Sequence, residues 1–167
     1  MTDCTTGLMW EQKTGSDGSV SGLSCPGNSA TDPHNVNNCY TWSGPSYGTT
    51  YIADGKLYTQ FLAALNSDVV AYPLGSAPTG CFAQHCDWRI PQISELRSIL
   101  TAEYPNCTSA PCIDPAFEPT GPSDYWSSSS TASDPIHGWF VDLRIGSVEP
   151  RGEKYLAGYA RAVRGGR

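Results

Sequence analysis

Charge is scarce in this chain. Only 16% of its 167 residues are Asp, Glu, Lys or Arg, and ten Lys/Arg are outnumbered by sixteen Asp/Glu. The formal net charge of -6 argues against a nucleic-acid binder, which neutralises phosphates with clustered Lys and Arg. An apolar run of about twenty residues is also missing, so no membrane insertion is expected. No internal repeat of about 20–50 residues is visible, which excludes a solenoid or propeller. His34, His85 and His137 stand in loops with no nucleophile, base or metal motif around them.

Turn formers are plentiful instead. Seventeen Gly, thirteen Pro and tracts of Ser, Thr and Asn make irregular backbone a large share of the fold. The length fits a single domain over residues 1–167 with one core. Met1 stands directly before the first predicted strand, so the domain is read as part of a larger or processed surface protein. Seven cysteines in so loop-rich a chain indicate an oxidising, extracellular or cell-surface setting. Neighbour pairing would join Cys25 to Cys39, Cys81 to Cys86 and Cys107 to Cys112, although spacing alone leaves other pairings open. The Cys-x4-Cys spacings lack the tight turns of zinc knuckles, so disulfides are expected in place of a metal. Cys4 is left over as a free thiol.

The charge is unevenly distributed. Residues 1–138 hold four cations (Lys13, Lys56, Arg89, Arg97) against thirteen acids, whereas residues 139–167 hold six against three. A locally basic C-terminal segment would suit an anionic polysaccharide or lipid surface. The stronger reading is a basic strand pair facing the chain's own acidic N-terminal part.

Periodicity predicts the elements. Gly7–Glu11 reads as a first strand anchored by Trp10, and residues 12–53 read as a long loop pinned by the Cys25/Cys39 staple, Trp42, Tyr47 and Tyr51. Apolar positions 57, 61, 62, 64 and 65 form a helical stripe, with Asp54 as its cap and Asn66 as its end. A second helix starts at Pro91 with the stripe Ile93, Leu96, Ile99 and Leu100; Gln92 caps poorly, so Asp87 or backbone must help. Tyr125–Ser129 is strand-like, Trp139, Val141, Leu143 and Ile145 alternate with Phe140, Asp142 and Arg144, and Tyr159–Arg164 makes a final strand. Helices before an antiparallel sheet define an α+β order.

The blocks Thr6-Gly7-Leu8-Met9-Trp10-Glu11, Phe61-Leu62-Ala63-Ala64-Leu65-Asn66, Cys81 through Cys86-Asp87-Trp88-Arg89-Ile90-Pro91, Pro115-Ala116-Phe117, Tyr125-Trp126-Ser127-Ser128 and Val163-Arg164-Gly165-Gly166 occur in that order. Together they resemble the DUF1566 family, also called the Lcl C-terminal domain family, over about residues 3–166. The resemblance implies a C-type-lectin-like fold, with two helices flanking a small twisted antiparallel sheet and long disulfide-stapled loops. It also implies a secreted or surface-displayed bacterial module whose best-known relative binds sulfated polysaccharides as a trimer. The family usually carries a Cys in its last motif; Ala162 stands there, which would explain an unpartnered Cys4.

Trp88 and Arg89 are read as core, with Arg89 on a carboxylate or loop carbonyls, and Trp10, Trp126 and Trp139 likewise. Candidate ligand contacts are the polar and aromatic residues between the late strands: Ser130, Thr131, Asp134, His137, Arg144, Ser147, Glu149, Arg151, Glu153, Lys154 and Tyr155. Arg151 and Lys154 are expected to be removable together without loss of stability. No cofactor is expected; calcium at Glu149-Pro150 is the weaker alternative, because Arg151 follows where a sugar-binding calcium site needs Asn. The reading is a non-catalytic recognition or adhesion module for a glycan or protein ligand. Its alternative is a display subunit or filament tip that contacts copies of itself through Tyr40–Tyr51, with an enzyme related to formylglycine-generating enzymes a distant third.

Overall fold

Tyr125 and Trp126 are neighbours in one strand, and their side chains therefore leave on opposite faces of the sheet. Tyr125 joins a core cluster with Leu8, Trp10, Leu96, Ile99, Phe117, Val141 and Val163. Trp126 joins another with Tyr40, Trp42, Leu57, Phe61, Leu65 and Trp88. The sheet thus carries a core on each face, where length alone pointed to one.

A computed structural model of the chain describes residues 1–16, 32–44, 51–67 and 81–165. Its strands are β1 (Leu8–Trp10), β2 (Cys39–Thr41), β3 (Asp124–Ser130), β4 (His137–Asp142), β5 (Ser147–Glu153), β6 (Ala157–Tyr159) and β7 (Val163–Gly165). A π-helical stretch, Leu57–Leu62, runs into α1 (Ala63–Leu65), and α2 spans Ile93–Ser98. The main sheet has the order β2-β6-β3-β4-β5, and β1 pairs with β7 in a second, two-stranded sheet. The expected all-antiparallel sheet is corrected at one place: β3 and β6 run parallel, with Tyr125 opposite Tyr159.

The first helix lies where its stripe predicts and buries Leu57, Phe61 and Leu65. Its cap differs, because Asp54 Oδ1 accepts the Gly44 N–H at 2.7 Å while Lys56 precedes the helix without a side-chain cap. Asn66 ends it and clamps Trp88, donating to its carbonyl at 2.8 Å and accepting its N–H at 2.9 Å. At the start of α2, Glu95 accepts the Gln92 N–H at 2.8 Å and Ser129 Oγ on β3 accepts the Ile93 N–H at 3.0 Å. Glu95 also holds Arg89 through two 2.6 Å bonds, the carboxylate pair expected of that Arg. Asp87 pairs with Arg164 at 2.7 Å instead of capping α2.

Three expectations change along the C-terminal third. Residues 147–153 form edge strand β5, not a loop; Pro150 is tolerated there because an edge strand can leave one side of its ladder unpaired. The single strand expected over 159–164 is split, since Tyr159 closes β6 and Val163 opens β7 in the other sheet. Trp139 is only half-buried. The expected long loop at 12–53 contains β2, which pairs with β6, while Cys25 and Tyr47 lie outside the described residues.

Cys81–Cys86 and Cys107–Cys112 are disulfides. Cys39 is also disulfide-bonded, but its expected pairing with Cys25 falls outside the described residues. Cys4 is exposed and free. Ala162, however, is not the vacant half of its pair: Cys4 lies in the turn before Leu8, whereas Ala162 is fully buried beyond Trp10 at the other end of the β1–β7 ladder.

A buried ionic centre fixes that far end. Glu11 is fully buried, with Oε1 2.9 Å from Lys13 Nζ and 2.8 Å from His34 Nδ1, and Oε2 accepting the Ala162 N–H at 2.9 Å. A carboxylate only accepts, so the His34 proton sits on Nδ1. Arg161, equally buried, donates to the carbonyls of Glu11 (2.8 Å) and Phe117 (3.0 Å) and to Thr120 Oγ1 (2.9 Å). Burial opposes ionisation of Glu11, but Lys13 and then His34 outweigh it and hold the carboxyl down at about 2.

Candidate functional site

The late-strand candidates separate into two groups. Ser130 ends β3, and Thr131, Asp134 and His137 form the turn into β4, where His137 Nδ1 lies 2.8 Å from Asp134 Oδ2 and Thr131 Oγ1 donates to the Pro150 carbonyl at 2.8 Å. Lys154 belongs beneath this turn. It is 2% exposed, donates to Ser130 Oγ (2.5 Å), Pro135 O (2.9 Å) and Tyr51 O (3.3 Å), and lies 4.2 Å from the Trp42 ring centroid. It is therefore a structural ammonium, not a ligand contact. Tyr155 is half-buried in the turn between β5 and β6.

Among the described residues the late cations form no basic C-terminal face either. Arg161 and Lys154 are buried, Arg164 is paired with Asp87, and Arg144 with Asp142 at 2.7 Å and Asp124 at 3.1 Å. Arg151 alone of the described late cations is exposed and without an ion pair. The self-facing reading of these charges prevails.

The other candidates gather on one face of the sheet. The two-residue period puts Asp124 and Trp126 of β3 on the same side as Phe140 and Asp142 of β4. Register then pairs Asp124 with Asp142 and Trp126 with Phe140, and sets Glu149 opposite Phe140 and Ser147 opposite Asp142. An aromatic row thus runs beside an acidic row. The chain between β5 and β6 crosses beside them and encloses a pocket of about 400 Å³, lined by Asp124, Trp126, Phe140, Arg151, Glu153 and Leu156 among others. The Trp126 and Phe140 rings meet edge to face, 6.3 Å apart at 77°. Leu156 is 52% exposed at its mouth.

Burial, then repulsion from Asp142 and Glu149, pushes the Asp124 carboxyl up to about 6 against the pull of Arg144. Glu149 and Glu153 have no salt bridge among the described residues. The pocket is thus lined by the apolar Trp126, Phe140 and Leu156, with Asp124, Glu153 and Arg151 as its charged residues.

Asp124, Phe140 and Leu156 are not among the sequence candidates, and Trp126 is buried in the core as expected while also lining the pocket. Strand alternation held the signal, because Asp-x-Trp in β3 and Phe-x-Asp in β4 each place an acid beside an aromatic on one face. Gly152 and Gly158 shape the pocket wall: a Cβ at Gly152 would come 2.5 Å from Trp126 Cζ3, and one at Gly158 2.7 Å from its Nε1. Gly152→Ala is expected to lower stability by about 1–3 kcal/mol, because the indole is fixed by its 3.0 Å bond to the Tyr40 carbonyl and cannot retreat. A denaturant midpoint equal to that of the parent would contradict this packing.

A second hollow, of about 540 Å³, lies between the N-terminal turn and residues 98–101. Its acids are already used: Asp3 accepts from Thr5 and Thr6, and Asp114 from the Ala116 N–H.

The family model of the Lcl C-terminal domain matches residues 1–164, and the chain belongs to that family. No curated protein and no solved structure matches it.

Proposed function

We propose that this chain is a non-catalytic, extracellular recognition module of C-type-lectin-like fold that binds a glycan or protein ligand on the β3–β4–β5 face. The observation carrying this reading is the pocket at Trp126 and Phe140, since aromatic walls with a few polar rim groups are the usual make-up of a specific ligand site. Family membership and the disulfides Cys81–Cys86 and Cys107–Cys112 are consistent with a surface-related, extracellular setting, and no helix among the described residues is long and apolar enough to cross a membrane. Of the Tyr40–Tyr51 surface that the filament alternative would use, Tyr40 and Trp42 are buried within the chain, Tyr51 is half-buried and Tyr47 lies outside the described residues.

A glycan array spanning neutral, cationic and sulfated chains tests the reading. Arg151→Ala with Glu153→Ala is expected to weaken any bound ligand at least about tenfold and to leave stability within about 0.5 kcal/mol, as neither makes an ion pair among the described residues. Binding that survives this pair of substitutions would move the site elsewhere. An array without hits would sink the glycan version.

A further inference from the structure

Taking the β3–β4–β5 face as the recognition site, we infer that the group its pocket accepts is an organic ammonium. The inference rests on that reading and sharpens it. Charge comes first. Asp124, Asp142, Glu149 and Glu153 lie on or beside this face against Arg144 and Arg151, and Arg144 is held between Asp142 and Asp124. Among the described residues Glu149, opposite Phe140 on this face, and Glu153, in the pocket lining, make no salt bridge, so the field here favours a positive guest.

The walls say which kind of cation. Among the described residues no group of three or more His, Cys, Asp or Glu is placed to hold a metal ion, so a compact cation finds no cage. An ammonium on a carbon skeleton needs none. Its charge is attracted by the electron-rich faces of Phe and Trp within about 6 Å, and its carbon surface is buried with them. Phe140, half-buried, offers the open ring, Trp126 stands edge to face behind it, and Leu156 adds apolar area at the rim. A pocket of about 400 Å³ admits a choline-sized group or a single amino-sugar ring. Sulfated chains meet the opposite field, because Lys154 and Arg161 point inward.

Four probes in two matched pairs test the inference on the intact chain: choline against its uncharged isostere 3,3-dimethylbutan-1-ol, and glucosamine against N-acetylglucosamine. Amide shifts of Phe140, Gly152 and Gly158 report occupancy. The charged member of at least one pair is expected to bind about tenfold more tightly. Glu149→Gln with Glu153→Gln should remove most of that preference and leave the uncharged members unchanged. Preference for choline identifies an alkylated ammonium, and preference for glucosamine an amino sugar. Should the uncharged members bind equally well, the ammonium assignment falls and the recognition face stands. Should no probe shift these amides, and array hits bind the Arg151→Ala, Glu153→Ala form undiminished, the face itself is wrong.

Discussion

Glu11→Ala is expected to lower the unfolding free energy by about 3–5 kcal/mol, a large part of the total for a domain of this size. Two neighbouring cations, Lys13 and Arg161, are at most 5% exposed; the Glu11 carboxylate accepts from the Lys13 ammonium and the Glu11 carbonyl from Arg161. Removing it leaves the Lys13 ammonium and the His34 N–H without their acceptor and the Ala162 N–H without a partner, all away from water. An unmade bond of this kind costs its full desolvation, far more than the net worth of a satisfied one. Glu103→Ala is the control: its pair with Arg97 is 44–58% exposed and screened by solvent, so its loss should leave the unfolding midpoint close to that of the parent. Urea unfolding of both variants checks the contrast, and equal losses would mean that the Glu11 centre is not sealed.

The same carboxylate sets the acid limb of stability. Its folded-state pKa, about 2, lies below the ordinary 4.5, so the folded form holds its charge where the unfolded chain takes up a proton. That contribution is complete above about pH 4.5 and is lost as pH falls towards 2. Asp124 acts in the opposite sense. Its carboxyl is raised from 3.8 to about 6, so the protonated form suits the fold and its share of stability declines as pH rises across that interval. Glu11→Gln should therefore flatten the profile below pH 4.5 and leave the Asp124 window unchanged.

Aromatic and apolar spacing carried most of what the sequence made legible. Trp10, Trp88 and Trp126 are buried, the helical stripe at 57–65 is helical, and the short cysteine pairs at 81/86 and 107/112 are bonded. These features rest on local periodicity or short separation, which a single sequence records. The parallel β3–β6 pairing does not, since it joins residues 34 positions apart through a register that no local pattern states. Trp139 shares the alternation of Val141 yet stays half-buried, because the β4–β5 ladder shifts between Gly138 and Phe140 and interrupts the regular face. For the site, the sequence candidates Arg144, Ser147, Glu149, Arg151 and Glu153 lie on or next to strands β4 and β5. Their aromatic partners stayed hidden, because a Trp and a Phe inside strands read as core until the chain beside them is seen to leave a pocket.

Lys154→Ala is expected to cost about 2–4 kcal/mol, where Arg151→Ala, three residues earlier, should change stability by no more than about 0.5 kcal/mol. In the sequence both are cations in the same Gly- and Glu-rich stretch, and nothing local separates them. In the fold, Arg151 is exposed on the edge strand while Lys154 turns under it, holding Ser130 on β3 and the Pro135 carbonyl together with the Tyr51 carbonyl, 103 positions away in the chain. Burial lowers its pKa, and no carboxylate lies within salt-bridge distance among the described residues to offset this; Asp134 acts only at longer range. Truncation removes three bonds and the contact with Trp42 at once, and it strands carbonyls in a space too apolar to hydrate them freely. Lys154→Met should recover about 1 kcal/mol of the loss by refilling the channel over Trp42 without restoring the bonds. Thermal melts of the three variants decide the matter: similar midpoints for Lys154→Ala and Arg151→Ala would return Lys154 to the surface, and with it the basic face that the charge count first suggested.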